Sequence, residues 1–217
     1  GLVGSEMCIR DSPKTSQKSG PGRAWSAKVI GIGPGLGMSK LAIKNFKQII
    51  NEVNYPIVVD ADGLNILSKD KDLFEKLPKE SILTPHIGEF KRFAGNFENS
   101  NEKIMLQRRI SKKYGLNIVL KGPYTTMTDS KGDLYINTSG NSGLATAGSG
   151  DVLTGIITGL LAQNYTPFNA MISGVFLHGL SADIAVKKSH VNSLIASDIT
   201  ENLSSAFKAL EKVITSN

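Results

Sequence analysis

The chain has 217 residues, 40% of them hydrophobic and 20% charged, and a formal net charge of +6. That length suits one α/β domain with a sizeable core, and no run approaches the roughly 18 apolar residues of a membrane span. The single cysteine, Cys8, cannot form an internal disulfide, so a reducing, cytoplasmic setting is expected.

Residues 1–25 show neither helical nor strand periodicity, and Ser, Lys, Gly and Pro dominate from Ser12 to Gly22. They lack the apolar run of a signal peptide. GLVGSEMCIRDS looks like a spuriously translated leader, so residues 1–25 are expected to be disordered or artefactual and residues 26–217 to hold the fold. Half the positive excess lies in residues 1–28, where five basic residues face Glu6 and Asp11. The remainder has no basic cluster interleaved with aromatics, so neither nucleic acid nor membrane is an expected partner.

From Lys28 the pattern changes. VIGIG (29–33) predicts a short strand and PGLG (34–37) a turn. Leu41, Ile43, Phe46, Ile49, Ile50 and Val53 then predict an amphipathic helix to about Asn54. PIVVD (56–60) predicts a second strand, followed by a short helix from Gly63 to Leu67, with Asp62 as its N-cap, and a helical stretch around Leu73–Leu77. SIL (81–83) is a third strand running into TPHIGEF and a helix, with another helix over 101–114. NIVLKG (117–122) is a fourth strand, and TTMTD (125–129) with DLYIN (133–137) predicts a hairpin. Three helices follow, over 152–163, 168–186 and 195–213, the last with Asp198 and Glu201 as a capping pair. Strands alternating with helices predict a three-layer, mostly parallel sheet with helices on both faces and the hairpin as an antiparallel edge.

Ligands of open α/β sheets bind beyond the carboxyl ends of the strands. Here GPGLG, DAD, TPHIGE and KGPYTT follow the first four strands in turn. The glycines of GIGPGLG either admit a ligand to the backbone or only make a tight turn. Asp60, at a strand end, is a candidate for ligand or water. His86 and Glu89, three apart, share a helix's first turn: they contact substrate and a metal-bound water, or they merely cap the helix. Lys121, Gly122 and Thr125 offer a cation, open backbone and a hydroxyl to phosphate, or a strand-end charge. His178, on an apolar helix, reads as a core histidine.

The stretch NSGLATAGSGD (141–151), running into the apolar helix VLTGIITGLLAQ, is a fifth such motif. Helix N-termini carry unpartnered N–H groups and partial positive charge, so Gly148 and Gly150 admit an anion there. Gly155 and Gly159, one turn apart, would allow close approach of another element. Asp151 is repelled by such an anion, so it is either a helix cap or a base for a nucleophile approaching phosphate.

GIGPGLG, PIVVDADGLNIL, ILTPHIGEF, VLKGPYT and NSGLATAGSGDVLTG, in this order, resemble the NAD(P)H-hydrate dehydratases of the ribokinase-like fold, from Lys28 to the C-terminus. The resemblance implies an enzyme that uses ADP or ATP with Mg²⁺ to dehydrate hydrated NADH or NADPH, phosphorylating the substrate hydroxyl and releasing phosphate. It implies Asp151 as catalytic base, and Lys121, Gly122, Pro123, Tyr124, Thr125, Asn141, Gly148, Ser149 and Gly150 as nucleotide-binding residues. Gly35, Gly37, His86 and Asp151 would bind the hydrate, Glu89 would reach the metal through water, and the protein would be a homo-oligomer. Family members carry roughly ninety residues before GPGLG that this sequence lacks, so an N-terminally truncated domain with an open sheet edge is expected. The alternatives are a vitamin-precursor kinase of the same fold and a non-catalytic nucleotide-binding remnant.

Overall fold

A computed structural model describes residues 29–215, with side chains through residue 211. The expected leader, residues 1–25, lies outside the described residues. Four short strands, β1 (Gly31–Ile32), β2 (Val58–Val59), β3 (Ile82–Leu83) and β4 (Asn117–Leu120), pair in parallel in chain order. The hairpin is present as β5 (Thr126–Thr128) and β6 (Leu134–Ile136), which extend the sheet antiparallel from β4.

Parallel neighbours in chain order require a crossover at each step, and right-handed crossovers all land on one face. That face carries α1 (Lys40–Glu52), α2 (Ala61–Lys69), α3 (Ile87–Ala94) and α4 (Ser100–Tyr114). The opposite face carries α5 (Ser149–Ala162), α6 (Pro167–Ala185) and α7 (Ala196–Thr215). Strand side chains alternate between the layers, as a period of two demands. Ile57, Val59, Leu83 and Ile118 join Phe46, Leu64 and Phe90 in one core, while Val58, Ile82 and Val119 join Leu153, Ile157 and Met171 in the other. The predicted three-layer α/β architecture is therefore present.

Local expectations need correction at three places. Asp62 is not an N-cap: α2 starts at Ala61, and Asp62 lies inside its first turn. In α7, Asp198 is the third helical residue, not the N-cap partnered by Glu201, and it satisfies the helix start by accepting from Ile195 N at 2.9 Å. The close helix approach falls on Gly174 of α6, where a Cβ would lie 2.6 Å from Ile157 Cγ1. Gly155 and Gly159 instead line a cleft beside β1.

Candidate active site

The chemistry-bearing residues gather where the parallel strands end. β2 delivers Asp60, whose backbone turns sharply into α2: Ala61 takes φ +44°, and a Cβ at Gly33 (φ +130°) would overlap the Asp60 carbonyl. Glycine is needed at position 33 for both reasons. Asp60 occupies the N-cap position of α2 yet makes no capping bond. Its carboxylate, 1% exposed, accepts from Lys121 Nζ at 2.9 Å and from Thr154 Oγ1 at 2.8 Å. A buried carboxylate is tolerated when its oxygens are paired in this way.

Lys121 continues β4 by a bridge to His86, and its N–H donates to Pro85 O at 2.8 Å. Its ammonium lies under the start of α5: a Cβ at Gly150 would come within 3.1 Å of Lys121 Nζ and 3.8 Å of Asp60 Oδ2. Gly150 thus allows the cation to approach the helix backbone closely.

α5 begins after Gly148, whose φ of +81° is a left-handed turn. Ser149 N bonds weakly back to Thr146 O at 3.4 Å, and Val152 N starts the ladder at Gly148 O, 3.1 Å. Between them, the Gly150 and Asp151 N–H groups are first-turn donors that the helix does not use. Lys121 and the partial positive charge of the helix end reinforce one another there. Asp151, the third helical residue, is therefore not the cap. Its carboxyl sits above the usual carboxylate range because the cleft walls partly remove it from water and because Asp60 repels its charge; Lys121 pulls the other way.

A cleft of about 910 Å³ opens from Asp151 along β1, between α1 and α5. Gly33, Pro34, Gly35 and Leu36 form one wall of its head, and Thr154 and Gly155 the other. Gly35 and Gly37 take positive φ, 64° and 77°, and Gly37 N donates to Asp62 Oδ2 at 2.8 Å. Asp62 thus shapes the glycine turn, a role that sequence reasoning missed.

The remaining predicted residues occupy neighbouring strand ends. His86 and Glu89 form a complete capping box at the start of α3, with Glu89 Oε2 accepting from His86 N at 2.8 Å and His86 Nδ1 accepting from Gly88 N at 2.9 Å. Neither lines the cleft. Gly122, Pro123 and Tyr124 form an exposed loop, with Tyr124 76% exposed, and Thr125 Oγ1 donates to Gly122 O at 3.2 Å. The Asn141 side chain is engaged inside the protein: Oδ1 accepts from Gly143 N at 3.0 Å and Nδ2 donates to Asp183 at 2.9 Å. Thr154 was not singled out from sequence, although a Thr four residues after Gly150 on an apolar helix shares its face. No group of three or more His, Cys, Asp or Glu suited to a metal occurs among the described residues.

A family model described as NAD(P)H-hydrate dehydratase matches residues 6–205. The chain belongs to the NAD(P)H-hydrate dehydratase family. It is 40% identical to the ADP-dependent (S)-NAD(P)H-hydrate dehydratase of Neisseria meningitidis over 174 residues, 77% of this chain and 59% of that protein. A Bacillus subtilis member of the family, an ADP/ATP-dependent dehydratase crystallised with ATP and Mg²⁺, superposes with a TM-score of 0.74 at 30% identity, covering 84% of this chain and 66% of that one. A ribokinase-like protein from Enterococcus faecalis superposes equally, 0.74 at 32% identity, over 84% of this chain and 63% of that one, so the fold is ribokinase-like. The chain spans 59% of the length of the Neisseria meningitidis dehydratase and 37% of that of the bifunctional repair enzyme of Moorella thermoacetica, to which it is 35% identical over 88% of this chain. Among the described residues no helix is long and apolar enough to cross a membrane.

Proposed function

We propose that the chain carries the catalytic half-site of a nucleotide-dependent dehydratase acting on hydrated NADH or NADPH. The observation that carries the reading is Asp151 at the head of the cleft, directly beside two unused helix N–H groups and the Lys121 ammonium. ADP or ATP is the co-substrate: its terminal phosphate sits at Gly148–Ser149–Gly150 beside Lys121, and its remainder runs toward Gly122–Thr125 and the Asn141 loop. The hydrated nicotinamide lies at the head of the cleft against Gly35, and reaches Gly37 and His86 beyond the cleft's own lining.

Asp151 accepts the proton of the ring hydroxyl as that oxygen attacks the terminal phosphorus. The P–O bond to the nucleotide breaks, leaving it one phosphoryl group shorter; phosphate then departs from the ring carbon as the adjacent ring carbon gives up a proton to water, and the C=C bond so formed restores the reduced dinucleotide. A base above the ordinary carboxylate range is better matched to a hydroxyl proton near neutral pH. The donor set suits Mg²⁺ held chiefly by nucleotide phosphates and water, as this cation prefers, with Glu89 reached through water. Bound there, Mg²⁺ would offset phosphate charge. The same reading takes in a cytoplasmic homo-oligomer without a nucleic-acid partner.

The test supplies NADH hydrate to the purified 217-residue chain with ADP or ATP and Mg²⁺ and follows recovery of reduced-nicotinamide absorbance. Recovery that requires nucleotide is the expected result. Recovery at full rate without nucleotide would rule out phosphorylation-coupled dehydration. Phosphorylation of a thiazole or pyrimidine alcohol instead would favour the kinase of the same fold, and nucleotide binding without either activity would favour a non-catalytic domain.

A further inference from the structure

α6 is apolar over nearly its whole length, and only two of its side chains are titratable, His178 and Asp183. Both are directed at the loop that leads into α5. His178, 7% exposed, places Nε2 2.9 Å from Ser149 O and 3.1 Å from Ser149 Oγ. Asp183 accepts from Gly140 N at 2.8 Å through Oδ2 and from Asn141 Nδ2 at 2.9 Å through Oδ1. A third tether, Ser139 Oγ donating to Phe176 O at 3.0 Å, accompanies them.

The peptide plane gives these contacts a consequence. Ser149 C=O and Gly150 N–H belong to one planar trans peptide unit, so fixing the direction of the carbonyl fixes the direction of the N–H. Gly150 has no side chain to restrict that unit by itself. A donor on Ser149 O therefore aims the Gly150 N–H at the anion position. Asp183 does the same for the Ser139–Gly140 peptide at the other end of the loop, and anchors Asn141 as well.

We propose that His178 and Asp183 are positioning residues, holding the two ends of the anion-binding loop so that its backbone donors are aimed before an anion arrives. The inference rests on the nucleotide-site reading for its biological purpose but not for its structural content. Burial lowers the His178 pKa to about 4, so near neutral pH the ring is uncharged and its single N–H is available for Ser149. Asp183 faces two donors, a demand that a carboxylate meets and a carboxamide cannot. Preorganised donors are worth most where they need not reorient on binding.

The experiment measures amide hydrogen exchange by NMR in the full chain. In His178→Phe, which keeps a ring of similar volume but no donor, exchange at Val152, whose N–H bonds Gly148 O and closes the turn over the Ser149–Gly150 peptide, should rise about tenfold or more, while the β2–β4 amides keep their protection. In His178→Gln, which restores a donor, exchange there should stay within about threefold of the parent. Unchanged exchange at Val152 in His178→Phe, or a uniform rise across the sheet, overturns the inference. If His178→Phe fails to fold, Asp183→Asn decides: faster exchange confined to Gly140–Gly143 supports the proposal, and no local change overturns it. ADP titration by calorimetry separates the two readings. A parent that binds ADP and a His178→Phe variant that binds it about tenfold more weakly support both. A parent that binds no ADP removes the nucleotide reading, while the exchange result still decides this one.

Discussion

Lys121 and Asp60 stand 61 positions apart in the chain and meet at 2.9 Å between Nζ and Oδ1. Their strands are not neighbours, because β3 runs between β2 and β4. The pair therefore bridges over the end of β3, directly beneath the first turn of α5. Thr154 closes the arrangement from α5 itself. Two strands of the sheet and one helix meet at one carboxylate, and the cation that it orients is the one beside the proposed anion-binding turn.

Lys121→Met should consequently destabilise the protein as well as weaken anion binding. It leaves the Asp60 charge buried with only a hydroxyl partner, and stripping one member from a buried ion pair costs about 3–5 kcal/mol. Because the Lys121 side chain is 23% exposed, the lower end of that range applies. Asp60→Asn, which leaves the cation partly hydrated rather than a charge sealed in, should cost less. Urea denaturation of both variants gives the comparison; a Lys121→Met loss below that of Asp60→Asn would contradict the buried-pair account.

Opposite shifts in the pH profile should accompany these changes. Asp60 raises the Asp151 pKa and Lys121 lowers it, with burial the largest cause. As the proposed base, Asp151 would work when ionised, so the acid limb of kcat/KM should report its pKa in the free enzyme. Asp60→Asn should move that limb to lower pH and Lys121→Met to higher pH, with neither reaching the free-carboxylate position because burial persists. Limbs that move together would show that Asp151 is not the group being titrated.

His178 makes stability itself pH-dependent. Burial holds its pKa at about 4 in the folded chain, against an ordinary imidazole value of 6.5. Above pH 6.5 the ring is neutral in both states and contributes no slope. As pH falls from 6.5 toward 4, the unfolded chain binds a proton that the folded chain refuses, so stability falls. The full span corresponds to about 3 kcal/mol. His178→Gln should flatten the melting temperature across that window relative to the parent. An unchanged slope in the variant would place the titration elsewhere.

The alternation of strands with helices and the amphipathic spacing of Phe46, Ile49 and Ile50 made the layers legible in the sequence, since parallel strands need crossovers and a packed helix buries one face. The five strand-end motifs were legible as well, because glycine, acid and cation in such places have few structural uses. What the sequence did not disclose was pairing across distance. Asp62 looked like a cap because it precedes Gly63, but Gly37, 25 positions away, is its partner. His178 was correctly expected to be buried, yet nothing local to it indicates Ser149, which lies on another helix. Asn141 was assigned to nucleotide by resemblance, and its side chain is bound within the protein by Asp183 and Gly143. Gln107, fully buried inside a polar-looking helix, bonds Ile118 O and Thr126 O at 3.1 Å and escaped notice because its neighbours are charged.

Gly174→Ala tests the packing of α5 on α6. A methyl group there would lie 2.6 Å from Ile157 Cγ1, and Ile157 is 0% exposed with no room to retreat. Overpacking of this kind costs about 1–3 kcal/mol, and the gain in helix propensity returns at most about 1 kcal/mol. A net loss of roughly 1–2 kcal/mol is expected by urea denaturation. A stabilised variant would show that the two helices separate freely at this point.

Asp151→Asn bears most directly on the proposed chemistry. The side chain caps nothing, since the N-cap of α5 is Gly148 and no side-chain capping bond is made there. Its loss should therefore leave the helix start in place. The helix dipole favours a negative charge in the first turn by about 0.3–1 kcal/mol, but burial and Asp60 oppose that charge here, so the melting temperature should change little. What disappears is the proton acceptor, and general-base assistance is typically worth about 10²–10⁴-fold in rate. Asn also removes a negative charge next to the bound phosphates, so nucleotide affinity should hold or improve. Turnover and calorimetric ADP titration on the same protein check both halves. Lost turnover with retained or tighter ADP binding is the signature of a base at the anion hole. Activity within a few fold of the parent would remove Asp151 from the chemistry and leave the cleft without a proton acceptor at its head.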